Sequence, residues 1–135
     1  MSDKAFIDTN VFVYLYSEDE VQKQKRAEDA IEKYECITST QVLNEFSNVC
    51  LKKLRIPIDI ISCSIDEITD ACTITLVDTK LIKSALYLQK KYGYSYYDSL
   101  VIASALSQNC KYLLTEDLSN RQLIENSLFI LNIFE

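Results

Sequence analysis

The sequence predicts an α/β fold with a mainly parallel sheet. Three observations carry that expectation. Short apolar or β-branched runs alternate with longer stretches of helical periodicity. The 135 residues contain one glycine, Gly93, and one proline, Pro57, so helices dominate and connections are short. The composition, 48% apolar and 25% charged, is that of a soluble globular chain able to bury a core as one domain over residues 1–135.

Ala5-Phe6-Ile7 ends abruptly at Asp8 and reads as a buried first strand; Val11 to Tyr16 follow as a short helix or turn. Residues 21–34 place Val21, Ala27, Ile31 and Tyr34 on one stripe of an amphipathic helix. Cys36-Ile37-Thr38 is a brief strand, and Ser39 or Thr40 can cap a helix running to about Leu54. After Pro57, Ile61, Ile65, Ile68 and Cys72 mark another helix, and β-branched Thr73 to Val77 reads as strand. A helix over 79–91 ends at Gly93, and the next covers 96–108. Tyr112-Leu113-Leu114 and Leu128 to Ile133 complete the strands.

Composition also removes chemistries. One glycine cannot build a phosphate-cradling loop. With no histidine, Ser-His-Asp and Cys-His catalysis and histidine-ligated zinc are excluded. Cys36, Cys50, Cys63, Cys72 and Cys110 show no CxxC pair and read as reduced core cysteines. The net charge of −6 argues against non-specific nucleic-acid binding, unless divalent cations sit among the acids. No segment is long and apolar enough for a membrane span, and MSDKAFID has no signal-peptide pattern, so a cytoplasmic location is expected.

Four carboxylates stand out. In an open parallel sheet, ligands bind beyond the carboxyl ends of the strands. Asp8 directly follows the first strand, and Asp117 lies three residues beyond Leu114. Asp8 can instead serve only as a helix cap or turn former, and Asp117 as a loop residue. Glu45 projects alongside the stripe of Val42, Leu43, Phe46, Val49 and Cys50. Asp98 sits on the face of Val101, Ile102 and Ala105, although Ser95-Tyr96-Tyr97-Asp98 also matches a capping box. Carboxylates aimed inward need a partner or a cation. Hard Mg²⁺ or Mn²⁺ suits oxygen donors and can activate water for attack on a phosphoryl group.

These acids lie in Phe6-Ile-Asp-Thr-Asn10, Ser39-Thr-Gln-Val-Leu-Asn-Glu45, Tyr97-Asp-Ser-Leu-Val-Ile-Ala-Ser-Ala105 and Leu113-Leu-Thr-Glu-Asp-Leu118. In that order, over nearly the whole chain, they resemble the PIN-domain nucleases, and among them the VapC-type toxins of toxin–antitoxin pairs. The resemblance implies a three-layer α/β/α sandwich and endonucleolytic cleavage of RNA with one or two Mg²⁺ or Mn²⁺ ions. It also implies a homodimer and an antitoxin covering the acidic pocket. Carried over by motif, Asp8, Glu45 and Asp98 match the core acids and Asp117 the fourth. Asn10 and Thr115 match the polar residues that steady acids and waters. Ser119-Asn120-Arg121 stands where relatives often carry a glycine, and Glu116 competes with Asp117 for the fourth role.

Lys52 and Lys53 with Arg55, Lys23 with Lys25 and Arg26, and Arg121 are candidate RNA contacts; Tyr14, Tyr16, Tyr96 and Tyr97 are candidate stacking residues. Each is otherwise solvated surface, core or partner contact. Rival readings are a PIN nuclease of RNA processing, an inactive PIN-fold binding module, and a phosphatase or receiver domain. Asp8-Thr9-Asn10 lacks the second acid of a phosphatase DxD.

Overall fold

The computed structural model describes residues 2–135. Six strands form one sheet in the order β3-β2-β1-β4-β6-β5. They are β1 (Lys4–Ile7), β2 (Glu35–Ser39), β3 (Thr73–Thr75), β4 (Tyr112–Leu114), β5 (Leu123–Ile124) and β6 (Leu128–Leu131). β1 pairs in parallel with β2 and β4, β2 with β3, and β4 with β6; only β5 runs antiparallel, against β6.

The six helices are α1 (Thr9–Leu15), α2 (Val21–Lys33), α3 (Thr40–Lys52), α4 (Ile58–Ala71), α5 (Thr79–Tyr92) and α6 (Tyr96–Ser107). α1 packs on α2 and α3, α3 on α4, and α5 on α6. The chain steps outward from β1 to β3, then returns across the sheet to β4. Right-handed crossovers therefore put α1–α4 on one face and α5–α6 on the other. The result is the expected three-layer sandwich. It creates a topological switch point where β1 meets β4, and their carboxyl ends open a crevice there.

The sheet centre is dry. Phe6, Ile7, Ile37, Leu113, Leu114 and Ile130 are fully buried, and Phe12 meets Phe46 edge-on over it. Local chemistry sets the helix ends. Ser39 Oγ accepts from the Val42 N–H at 3.3 Å, and Asp78 Oδ1 from the Leu81 N–H at 2.9 Å. Gly93 closes α5 at φ +79°, where a Cβ would meet nothing within 4 Å. The cost of Gly93→Ala is then conformational alone, about 1 kcal/mol. Thermal denaturation should show a drop of about 3–4 °C; a drop above ~10 °C would mean that the glycine also serves a packing role.

Several expectations need correction. Val21, expected on the α2 stripe, is 70% exposed; the half-buried Gln24 faces inward and donates to the Leu15 carbonyl at 3.0 Å. Strand β3 stops at Thr75 and β6 at Leu131, short of Val77 and Ile133. Strand β5 was not anticipated. Its hairpin turns through Glu125 and Asn126, both with positive φ, and the Ser127 N–H donates to the Ile124 carbonyl. Such turns normally advertise themselves with glycine. Cys63 is exposed, whereas the other four cysteines are buried; all five are free thiols. Helix α6 is buried at every position from Ser99 to Ala105, so it has no single inward face. Asp98 lies in the first turn of that enclosed helix, half-buried, and not on a buried stripe.

Candidate active site

Asp8 sits where β1 passes into α1, at the switch point. Its N–H donates to the Leu114 carbonyl of the neighbouring strand, which pins the backbone between β1 and β4. The residue is the N-cap of α1, so the capping expectation and the cleft expectation describe one position. Both carboxylate oxygens are engaged. Oδ1 accepts from the Thr9 N–H and Oδ2 from the Thr115 hydroxyl, each at 2.8 Å. Thr115 is fully buried, one residue beyond β4, and its Oγ1 also accepts from the Asp117 N–H at 3.2 Å. A single hydroxyl thus ties the loop after β4 to the acid after β1.

Glu45 approaches from α3. Its Oε2 accepts from the Thr9 hydroxyl at 3.0 Å, and its Oε1 from Gln41 Nε2 at 2.8 Å. Gln41 Nε2 donates as well to the Tyr97 carbonyl at 3.2 Å, which joins α3 to the start of α6. Asp98 follows Tyr97. Its N–H donates to Ser95 Oγ at 3.2 Å, which is half of the capping box. Among the described residues no donor bonds its carboxylate, so the other half is not formed.

Asp8, Glu45, Asp98 and Asp117 all line one cavity of about 250 Å³, together with Asn10 and Asn48. Among the described residues no Lys or Arg lines it. Burial pushes the Asp8 carboxyl from 3.8 up to about 6. The hydrogen bonds from Thr115 and Thr9 oppose that rise, and the charges of Glu45 and Asp117 add to it. Among the described residues no three His, Cys, Asp or Glu side chains are gathered tightly enough to hold an ion by themselves. Mg²⁺ usually keeps several waters and takes one or two carboxylates directly. A donor set of carboxylates around a small polar cavity, with no cationic side chain in its lining, is chemically suited to it.

The other candidate residues are divided between this cavity and the surface around it. Asn10 lines it but makes no side-chain hydrogen bond among the described residues; the threonine before it, Thr9, steadies the acids instead. Glu116 points elsewhere. Burial pushes its carboxyl up, but bonds from Lys23 (2.8 Å) and the Tyr14 hydroxyl (2.7 Å) outweigh that and hold it below its usual range. Lys23 is therefore occupied, and Arg26 donates to the carbonyls of Ile133 and Glu135. Lys52, Lys53 and Arg121 are exposed but do not line the cavity. Of the four tyrosines considered for stacking, Tyr97 is exposed at its rim; Tyr14 and Tyr16 are tied to Glu116 and Glu67. Thr9 and Gln41 were missed by the sequence reading. Position four before Glu45 on the same helix face was the available signal for Gln41.

The sequence matches the PIN domain family over residues 5–123. No curated protein matches it. Solved structures share its fold. A toxin–antitoxin complex from Klebsiella pneumoniae is 16% identical with a TM-score of 0.73, covering 97% of this chain and 98% of that one. The Mycobacterium tuberculosis toxin VapC20, described as cleaving the sarcin-ricin loop, is 16% identical with a TM-score of 0.66, covering 81% and 86%. VapBC2 from Rickettsia felis, bound to a DNA fragment from its promoter, is 18% identical with a TM-score of 0.66, covering 96% and 99%. No helix among the described residues is long and apolar enough to cross a membrane.

Proposed function

The chain belongs to the PIN domain family, and on that premise we propose that it is a divalent-cation-dependent endoribonuclease, the toxin of a toxin–antitoxin pair. One observation carries the reading: four carboxylates from four separate segments line a single cavity at the switch point, and among the described residues no basic side chain in the lining neutralises them. Asp8 and Asp98 are assigned as the principal ligands of Mg²⁺ or Mn²⁺. Glu45 joins them directly or through water, and Asp117 serves a water or a second ion. When bound, such ions supply an acidified water and a positive field at the phosphoryl oxygens.

The protein's own part is positioning. Thr9 and Thr115 hold Asp8 from both sides, so its orientation is fixed before substrate arrives. Gln41 and Thr9 hold Glu45 likewise. The Asp98 carboxylate accepts no hydrogen bond among the described residues, which leaves its oxygens for a ligand. An in-line displacement leaving a 5′-phosphate is the proposed outcome. The toxin assignment draws on the likeness to toxin–antitoxin assemblies, and it brings an antitoxin over the acidic cavity and a homodimer as further proposals. The test is direct: purified chain with single-stranded RNA should yield 5′-phosphate ends in Mg²⁺ and none in EDTA. Cleavage indifferent to EDTA would refute the proposal.

Asp8 also sets a pH dependence. Its folded pKa lies above the ordinary value, so its contribution to stability is full below about pH 4 and is lost as pH rises through about 6. That loss is of order 3 kcal/mol in the metal-free protein. A cation bound to ionised Asp8 recovers it. Mg²⁺ should therefore raise the melting temperature at pH 7.5 and have little effect at pH 5. An equal effect at both values would count against Asp8 as a ligand.

A further inference from the structure

A second cavity, about 620 Å³, adjoins the acidic one and shares Glu45, Asn48 and Tyr97 with it. Its chemistry differs. Among the described residues Glu45 is its only charged lining residue, and the wall otherwise carries three carboxamides, Gln41, Asn44 and Asn48. These lie at i, i+3 and i+7 on α3, one stripe of one helix. Val77 supplies an apolar patch, and the Tyr97 ring, 64% exposed, stands at the rim edge-on to Tyr96.

Asn44 and Asn48 are exposed, and neither side chain makes a hydrogen bond among the described residues. Each therefore offers one acceptor and two donors to a ligand. Gln41 is different. It is 8% exposed, its two N–H groups are committed to Glu45 and the Tyr97 carbonyl, and its Oε1 is buried with no partner. The wall thus presents two free carboxamides and an exposed aromatic ring beside the committed Gln41. A phosphate finds no cation there. A nucleobase finds an edge to pair with and a ring to stack on.

We propose that this carboxamide-lined cavity holds one unstacked base of single-stranded RNA, next to the phosphodiester presented to the acids. Adenine is the best match, because its amino group and N7 complement an Asn or Gln carboxamide in a two-bond pairing. The stripe continues outward. Lys52 is exposed four residues beyond Asn48, about 6 Å further along the helix, where it can meet the next phosphate.

The substrate class rests on the ribonuclease reading, but the test separates the two. Binding is measured by fluorescence anisotropy in Mg²⁺ with the Asp98→Asn protein, on short single-stranded RNAs carrying A, C, G, U or no base at one position. Adenine should bind about tenfold tighter than uracil. Asn44→Ala and Asn48→Ala should each erase most of that preference. Tyr97→Ala should weaken every base about tenfold, and Tyr97→Phe should restore it, since stacking needs only the ring. All three positions are exposed, so the variants should keep the parent melting temperature. A flat profile across bases, or one the asparagine variants leave unchanged, overturns the proposal. So do variants that keep RNA affinity and lose a protein partner instead. If the asparagines control binding while the wild-type chain cuts no RNA, the base site stands and the ribonuclease reading fails.

Discussion

Asp98→Asn should lower RNA cleavage by about 10³-fold, about 4 kcal/mol of transition-state stabilisation, and leave the melting temperature within ~2 °C of wild type. The asymmetry follows from the contacts. Asp98 is half-buried, and its carboxylate bonds no donor among the described residues. The helix cap runs through its backbone N–H to Ser95 Oγ, which the substitution keeps. Removing the charge costs the fold almost nothing and removes a ligand on which the proposed chemistry depends. Cleavage followed on a fluorogenic RNA in Mg²⁺, beside a thermal melt, measures both quantities. Rates within tenfold of wild type would take Asp98 out of the site. A melt lowered by ~10 °C would mean that Asp98 is structural.

Asp8→Asn should separate function from stability in the opposite direction. Cleavage should fall as far as with Asp98→Asn, yet the metal-free protein should become more stable at pH 8, by about 1–3 kcal/mol. Asp8 is buried, and its carboxyl titrates near 6, above its ordinary value, so at pH 8 the fold carries an ionised group it would rather protonate. Asparagine keeps the shape and can still accept from the Thr9 N–H without that charge. The melting temperature should rise by about 3–10 °C at pH 8. The advantage should vanish near pH 3, where Asp8 is protonated in folded and unfolded chains alike. A destabilised variant at pH 8 would show that Asp8 is held mainly for its hydrogen bonds. A stable variant with full activity would remove it from the chemistry.

Much of this arrangement could be read from residue order. The Ala5–Ile7, Cys36–Thr38 and Tyr112–Leu114 runs are short and buried apart from the half-buried Tyr112, and such runs have few alternatives to buried parallel strands. Ser39, Ser95 and Gly93 declare helix ends through local chemistry that tertiary packing does not override. The acids at Asp8 and Asp117 could be placed at the sheet's carboxyl edge because strand ends are local. What escaped was long-range. β5 depends on Glu125 and Asn126 both adopting positive φ; asparagine is prone to it, but glutamate gives no such signal. Helix α6 is enclosed all round by α5 and the sheet, so face periodicity misplaced Asp98 on a stripe that does not exist. Thr9, Gln41 and Thr115 act across 36, 56 and 107 residues of chain, and no window of sequence shows such contacts. Thr115 was found through motif likeness; Gln41 looked like any polar helix residue.

The claim at the centre is that the four-carboxylate cavity binds a divalent cation. Calorimetric titration of Mn²⁺ into the chain at pH 7.5, beside Asp8→Asn and Asp98→Asn, tests it most directly. The account predicts saturable heat with the wild-type chain, with one or two ions bound, and loss of that heat in each variant. Equal heats in all three proteins, or no saturable heat in any, would contradict it.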